Sequence, residues 1–384
     1  MGIARGELQV LSYNPEVTFG TREAGNFTLI PHNSESLVPV RQWFESQRCL
    51  GDRQVADGRL GRKSVTGDIT SEMCYANLDR FLEQLLCSAK VTAFSAVTAT
   101  TLAAVSSTNR ITDSGNGLAG IASNEWVYVS GFANGENNGM FKVETGGQAG
   151  YIQLFGTGLV DEAATPSVTI REVSITNGTT EFFSTIHKAY YDEDSVLDEH
   201  DVLGAVITQG ALTVPANGIA TMTWSFLGKD YDTTGASVTN AAQTDYSPFD
   251  GLTGTYAIDG TATSQMTAFS VTIANGHTPT EPLGTTLMGE AIPRKFRVTG
   301  SFSVYHTNAT QIAKLLNETE TKLTITLADP SGNQHVWLFP RVKITSAGAT
   351  KTDDGPVMET LNFTALKDQD VTEKTVGLVM IPAA

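Results

Sequence analysis

A short strand motif followed by an amphipathic helix occurs twice in this chain, and this duplication restricts the fold more than any single motif does. The first copy is Val65-Thr66-Gly67-Asp68-Ile69-Thr70 with the helical run Asn77–Cys87. The second is Val298-Thr299-Gly300-Ser301-Phe302-Ser303 with Asn308–Leu316. A basic pair precedes each copy, Arg62-Lys63 and Arg294-Lys295. Leu78, Phe81, Leu82, Leu85 and Leu86 fall on one face of the first helix, as Ile312, Ala313, Leu315 and Leu316 do on the second. An Asn opens each helix, and Asn308 with Gln311 has the spacing of a capping box.

The similarity continues beyond the helices. Thr180–Ile186 matches Thr321–Leu327 in alternation, and Thr223–Asp230 matches Thr360–Asp368, with turns at Pro215–Gly218 and Asp353–Gly355 between them. Such a repeat predicts a mainly β fold of two tandem β-rich units, each with one flanking helix. In the second copy the helix runs through Asn317–Glu320 straight into its strand, whereas the first copy is interrupted before its strand resumes. The interruption alternates as β-strands (Glu125–Phe132, Met140–Val143) around the turn Asn134–Gly139, which predicts a small inserted β domain. The expected boundaries are 1–90 with 173–230 for the first unit, 91–172 for the insert, 231–261 for a linker and 262–384 for the second unit.

Residues 1–36 read as an extended arm with one short strand, Phe27–Pro31, that must dock on its own core or on a neighbour. Residues 37–63 read as a long connection, basic in an otherwise acidic chain through Arg41, Arg48, Arg53, Arg59, Arg62 and Lys63. Such a loop is either mobile and solvated or a contact with another subunit. An acidic counterpart exists in Asp192, Glu193, Asp194, Asp198 and Glu199. This stretch reads as a plain acidic loop or a complementary interface loop; it lacks the spacing and glycine of a calcium loop. The Pro- and Gly-rich 276–293 takes the place of the basic connection in the second unit, and Thr375–Ile381 is an apolar strand suited to a sheet edge.

With 41 acidic and 25 basic residues, the net charge of −16 disfavours tight binding to nucleic acid and suits a surface past which it slides. Cys74 (placed in the strand) and Cys87 read as reduced packing residues, and Cys49 adds no CxxC pair. No segment reads as a signal peptide or membrane span, so the expected site of synthesis is the cytoplasm. Gly115–Gly120 is a formal GxGxxG, but a strand rather than a helix follows, so it reads as a turn. No catalytic, metal-binding or cofactor motif is present, and the histidines are scattered.

Several segments in order carry a resemblance. Glu16–Thr21, the stretch from Glu45-Ser46 to Arg53–Asp57, Val65–Ile69 with its helix, Pro215–Ile219 leading to Phe226–Asp230, and Pro340–Lys343 leading to Ala365–Asp368 resemble the major tail tube proteins of long, non-contractile bacteriophage tails. The resemblance implies tube-type β-sandwich domains whose long strands join neighbours into a barrel around a pore, in stacked rings of six domains. Two such domains in one chain then imply homotrimeric rings with pseudo-sixfold symmetry, the insert decorating the outside. It also implies passage of DNA, tape measure, tail terminator and distal tail proteins as partners, no membrane insertion, and a place in the virion after assembly in the host cytoplasm. Arg48, Arg53, Arg59 and Arg62 would meet Asp192, Glu193, Asp194, Asp198 and Glu199 between rings. The alternatives are another virion component (terminator, baseplate or decoration protein) or a carbohydrate-binding adhesion module using Trp126 and Tyr128.

Overall fold

The structure is a computed structural model and describes residues 3–48, 51, 54, 55, 57–91, 94–164, 167–193, 195–350, 354–369 and 371–383. Of the residues singled out above, Cys49, Arg53, Ala56, Asp194 and Asp353 lie outside the described residues. The first half contributes β1 (Val10–Glu16), β2 (Val38–Glu45), β3 (Gly58–Glu72), α1 (Asp79–Leu86), β4 (Phe183–Tyr191), β5 (Val196–Pro215) and β6 (Thr221–Gly228). The second contributes β7 (Thr255–Ile258), β8 (Met266–Ala274), β9 (Arg297–Tyr305), α2 (Thr310–Leu316), β10 (Glu320–Ala328), β11 (Gln334–Thr350) and β12 (Met358–Ala365), then β13 (Gly377–Ile381). The chain is mainly β, with antiparallel pairing between all these strands.

The central strand pairings of the two halves correspond residue for residue. β6 meets β3 through Trp224↔Ile69 and Phe226↔Gly67, as β12 meets β9 through Leu361↔Phe302 and Phe363↔Gly300. β5 meets β6 with a bulge between Ile207 and Gln209, and β11 meets β12 with a bulge between Ile344 and Ser346, the same place in the repeat. A bulge kept at one position in both halves is a feature of the sheet, not an accident of it. β1 lies on β4 as β7 lies on β10. The repeated glycine has a steric cause: a Cβ at Gly67 would lie 2.3 Å from the Ser36 carbonyl oxygen, and one at Gly300 2.4 Å from that of Ser270. No side chain fits where two strands approach so closely.

The structure corrects several expectations. Ser184 faces Ala205 where Thr321 faces Val342, so Ser184 and not Thr180 is the counterpart of Thr321. The sequence match slipped by an even step, which alternation at period two cannot detect. Within the stretch 37–63, Val38–Glu45 and the residues from Gly58 onward form a ribbon instead of a loop, β2 pairing with β3 from Val38↔Thr66 to Glu45↔Gly58. Asp198–Asp201 sit in β5 rather than in a loop. The arm contains β1, which pairs with its own half. Within 231–261, β7 is a strand of the second half's sheet. β13 lies between β11 and a two-residue strand at Ile175–Thr176, not at a free edge. Cys74 lies just past β3; it and Cys87 are buried free thiols, and burial pushes the Cys87 thiol up to about 11. Neither Asn forms a capping box. The Asn77 amide donates to Cys74 Sγ, while Asn308 accepts from the Thr310 N–H and Gln311 Oε1 stays buried with no partner among the described residues.

One core runs through both halves. In the first, Phe81 of α1 packs edge-on against Trp224 and Phe226 at 5.4 and 5.3 Å. In the second, Phe269, Phe302, Phe339 and Phe363 pack together. Each fully buried side chain of this size stabilises by roughly 1.5–3 kcal/mol. Strands between Val97 and Glu172 form a separate seven-stranded sheet around Ile111, Val127, Val143, Ile152 and Ile170. In its glycine turn, the Asp113 carboxylate accepts the Gly115 and Gly117 N–H groups at 2.8 and 2.6 Å.

Candidate assembly surface

The strands β2–β3–β6–β5–β8–β9–β12–β11 form one continuous antiparallel run. Its middle junction joins the halves, β5 to β8, from Gln209↔Ala274 to Pro215↔Ala268. Its two ends are β2 and the C-terminal part of β11, each paired on one side only among the described residues. The ends are the repeat's own counterparts of that middle junction. Ser34↔Thr70 and Val38↔Thr66 occupy the places of Ala268↔Ser303 and Thr272↔Thr299, so the segment 34–39 leading into β2 corresponds to β8. β11 corresponds to β5 through the shared bulge. Rows of unpaired backbone N–H and C=O groups on long edges are templates for another strand.

The β2–β3 ribbon also exposes apolar side chains. Trp43 is 56% exposed, Phe44 53% and Leu60 54%, an unusual display for a lone ribbon in water. The ribbon's root is held by 276–293: Lys63 N–H donates to the Thr286 carbonyl at 2.8 Å and Met288 N–H to that of Lys63 at 3.2 Å. Between them lies a groove of about 600 Å³ lined by Phe44, Leu60, Arg62, Pro279, Thr286 and Met288. Upstream, the buried Lys188 ammonium fixes the approach to β2 through Glu35 and the Leu37 carbonyl, both at 3.0 Å.

The charged residues expected at the surface are placed as follows. Arg59 lies on β3 opposite Phe44, Arg62 lies near the ribbon's root, and exposed Arg48 at its tip bonds Ser46 Oγ at 3.2 Å. Asp192 Oδ1 accepts the Ser195 N–H, Glu193 pairs with Arg5 at 2.7 Å, Asp198 with His200 at 2.7 Å, and Glu199 accepts from Ser237 Oγ at 2.6 Å. No ion pair joins the basic set to the acidic set among the described residues. What sequence reasoning missed is the backbone edges and the apolar ribbon, neither of which has a motif.

The two helices end differently. At the C-terminus of α1, Asn275 of the second half donates its side-chain amide to the Leu85 and Gln84 carbonyls at 2.8 and 3.4 Å. Gly178 N–H reaches the Leu86 carbonyl at 2.8 Å. At α2, Leu315 accepts only from the adjoining Asn317 and Glu318 N–H groups, and the Leu316 carbonyl has no donor among the described residues. Leu316 is 76% exposed, whereas its counterpart Leu85 is 0% exposed.

Trp126 and Tyr128 form no stacking platform. The Trp126 N–H donates to the Thr372 carbonyl at 2.7 Å, Lys374 lies over its ring at 4.6 Å, and both aromatics pack with Met140, Val336 and Val379 where the insert leans on the second half. Among the described residues no His, Cys, Asp and Glu side chains cluster as a metal site, and no helix is long and apolar enough to cross a membrane. No curated protein matches the chain. The family model for phage tail tube proteins matches residues 6–365, nearly the whole chain. Long open edges on a duplicated sheet, an apolar ribbon and this match lead to one assignment: the chain belongs to the phage tail tube protein family, structural components of the virion's tail that assemble with themselves into a tube.

Proposed function

We propose that three copies of this chain close into a ring of six tube domains, and that rings stack into a conduit through which DNA leaves for the host. The observation that carries this reading is the β5–β8 junction, which already joins two homologous domains edge to edge within one chain. The outer edges, residues 34–40 running into β2 and the C-terminal part of β11, are the counterparts of β8 and β5, so the same junction can form between copies. Eight strands per chain give 24 in a ring of three, a closed barrel with no exposed edge. Three chains at −16 each carry −48, which suits a bore that passes DNA without holding it.

Between rings, Arg48, Arg53, Arg59 and Arg62 face the acidic residues at 192–199, with the exposed ribbon aromatics adding apolar contact. Solvated ion pairs contribute roughly 0–1 kcal/mol each, weak enough for the stack to bend. Tape measure, terminator and distal tail proteins would cap and fill the tube, which is assembled in the host cytoplasm, and no catalytic step is involved. Negative-stain microscopy of the purified chain tests the reading: it requires tubes with a central channel, and a dispersed monomer at high concentration would sink it. Reversing Arg53, Arg59 and Arg62 to Glu should leave the protomer folded and stop polymerisation; normal tubes from that variant would refute the stacking contact.

A further inference from the structure

We propose that Arg41 of one protomer caps the C-terminus of α2 in the next, with the strand that carries it covering Leu316. This rests on the ring reading above and gives its junction a register. Within the chain, Gln209↔Ala274, Gly210↔Ile273 and Ala211↔Thr272 pair across the β5–β8 seam. Transferred to the outer edges through the repeat, these become Ser346↔Val40, Ala347↔Pro39 and Gly348↔Val38 between copies.

The residue after this stretch is the informative one. Asn275 follows β8 directly; its backbone N–H donates to the Thr208 carbonyl at 2.9 Å while its side chain caps α1. Arg41 holds the same place, because Val40 pairs with Ser64 as Ala274 pairs with Arg297. Its Nε donates to the Gly61 carbonyl at 2.9 Å within the ribbon, and one terminal nitrogen lies 3.5 Å from that of Leu60. A guanidinium has five donors in a fork, so capacity remains for a second set of carbonyls. The counterparts of the Gln84 and Leu85 carbonyls are those of Leu315 and Leu316, aligned by the first helical residues Asp79 and Thr310 and by the left-handed residues Cys87 and Glu318 that follow each helix. A cation there also opposes the negative end of the helix dipole. The exposed Leu316 side chain and its donorless carbonyl are thus what a neighbour's strand would cover, as the second half covers α1 inside the chain.

The test uses the full chain. Val40→Cys with Ser346→Cys should give disulfide-linked oligomers in oxidised tubes, judged against each single-cysteine variant, while Val40→Cys with Gly348→Cys should not. Arg41→Glu should raise the concentration needed for tube formation about tenfold or more, the scale of one lost charge-assisted cap. Arg41→Asn should assemble close to the wild-type concentration, and both variants should keep the protomer's Tm. If Arg41→Glu assembles normally while the Val40–Ser346 crosslink still forms, the cap is overturned and the ring stands. Should Arg41→Glu lower the protomer's Tm, Arg41 serves its own ribbon and the cap is likewise overturned. Tubes that form without the Val40–Ser346 crosslink overturn the junction itself.

Discussion

The two halves share the registers of their central strands, yet one is finished within the chain and the other is not. α1 presses Phe81, Leu82, Leu85 and Leu86 into the core and has its last carbonyls answered by Asn275 and Gly178. α2 buries no residue fully and leaves Leu316 open. The sheet tells the same story: β5 has β8 beside it where β11 has nothing among the described residues. Part of the difference is local. Gly210 lets Leu85 approach, since a Cβ there would lie 2.6 Å from Leu85 Cδ2, whereas its counterpart on β11 is Ala347. Shared registers in the central strands with unequal completion are what the proposed ring accounts for: beyond the local change at Gly210, the second half lacks the strand that β8 supplies to the first.

The comparison breaks most visibly at the open edge. Val40→Glu with Ser346→Glu sets like charges opposite one another in the proposed register, and assembly should be lost while the protomer's circular dichroism and Tm hold. Val40→Lys with Ser346→Glu should assemble again; failure of both pairs alike would mean the edges do not meet. Next in size, Leu85→Ala should cost about 2–5 kcal/mol in urea unfolding because it empties a closed site. Leu316→Ala at the matching helix position should stay within about 0.5 kcal/mol in the protomer. Equal losses would show that α2 is as buried in solution as α1.

A third effect sharpens where the halves meet. His335 of β11 is wholly buried against Phe249 and Tyr75, at 4.8 and 5.9 Å, with no partner on either ring nitrogen among the described residues. Burial pushes its pKa from 6.5 down to about 3. The unfolded chain therefore takes up this proton first, so the contribution is intact above pH 6.5 and is lost as pH falls towards 3. His335→Phe should flatten the stability–pH slope across that window by about 1 kcal/mol per pH unit, measured by urea titrations at several pH values. An unchanged slope would contradict the buried neutral ring. Smallest, Asn275→Ala should cost about 1 kcal/mol by removing the α1 cap, and a neutral result would show that the cap carries no stability.

The duplication was readable because Gly67 and Gly300 solve one steric problem with one residue, and because helical spacing marks α1 clearly. Other features were not. The ribbon hides from periodicity since both its faces meet solvent, so Trp43, Phe44 and Leu60 alternate with nothing buried. The Thr180 match failed because two-residue periodicity is blind to even slips. Asn77 looked like a cap until Cys74 claimed its amide. Of the candidate surface, only charged side chains could be proposed from the sequence, since an open edge is a property of the backbone and leaves no letter in the sequence. Arg41 stood among the basic residues of the ribbon, and its match to the place of Asn275 is what suggests the proposed cap.

The β5–β8 seam also bears on how a ring begins. Bringing free bodies together costs an estimated 4–15 kcal/mol of translational and rotational freedom for each one docked. A seam made during folding is exempt from that cost and independent of protein concentration. In the proposed ring of three, every second contact would therefore be present before any encounter, and nucleation would have three partners to collect where unfused domains would need six.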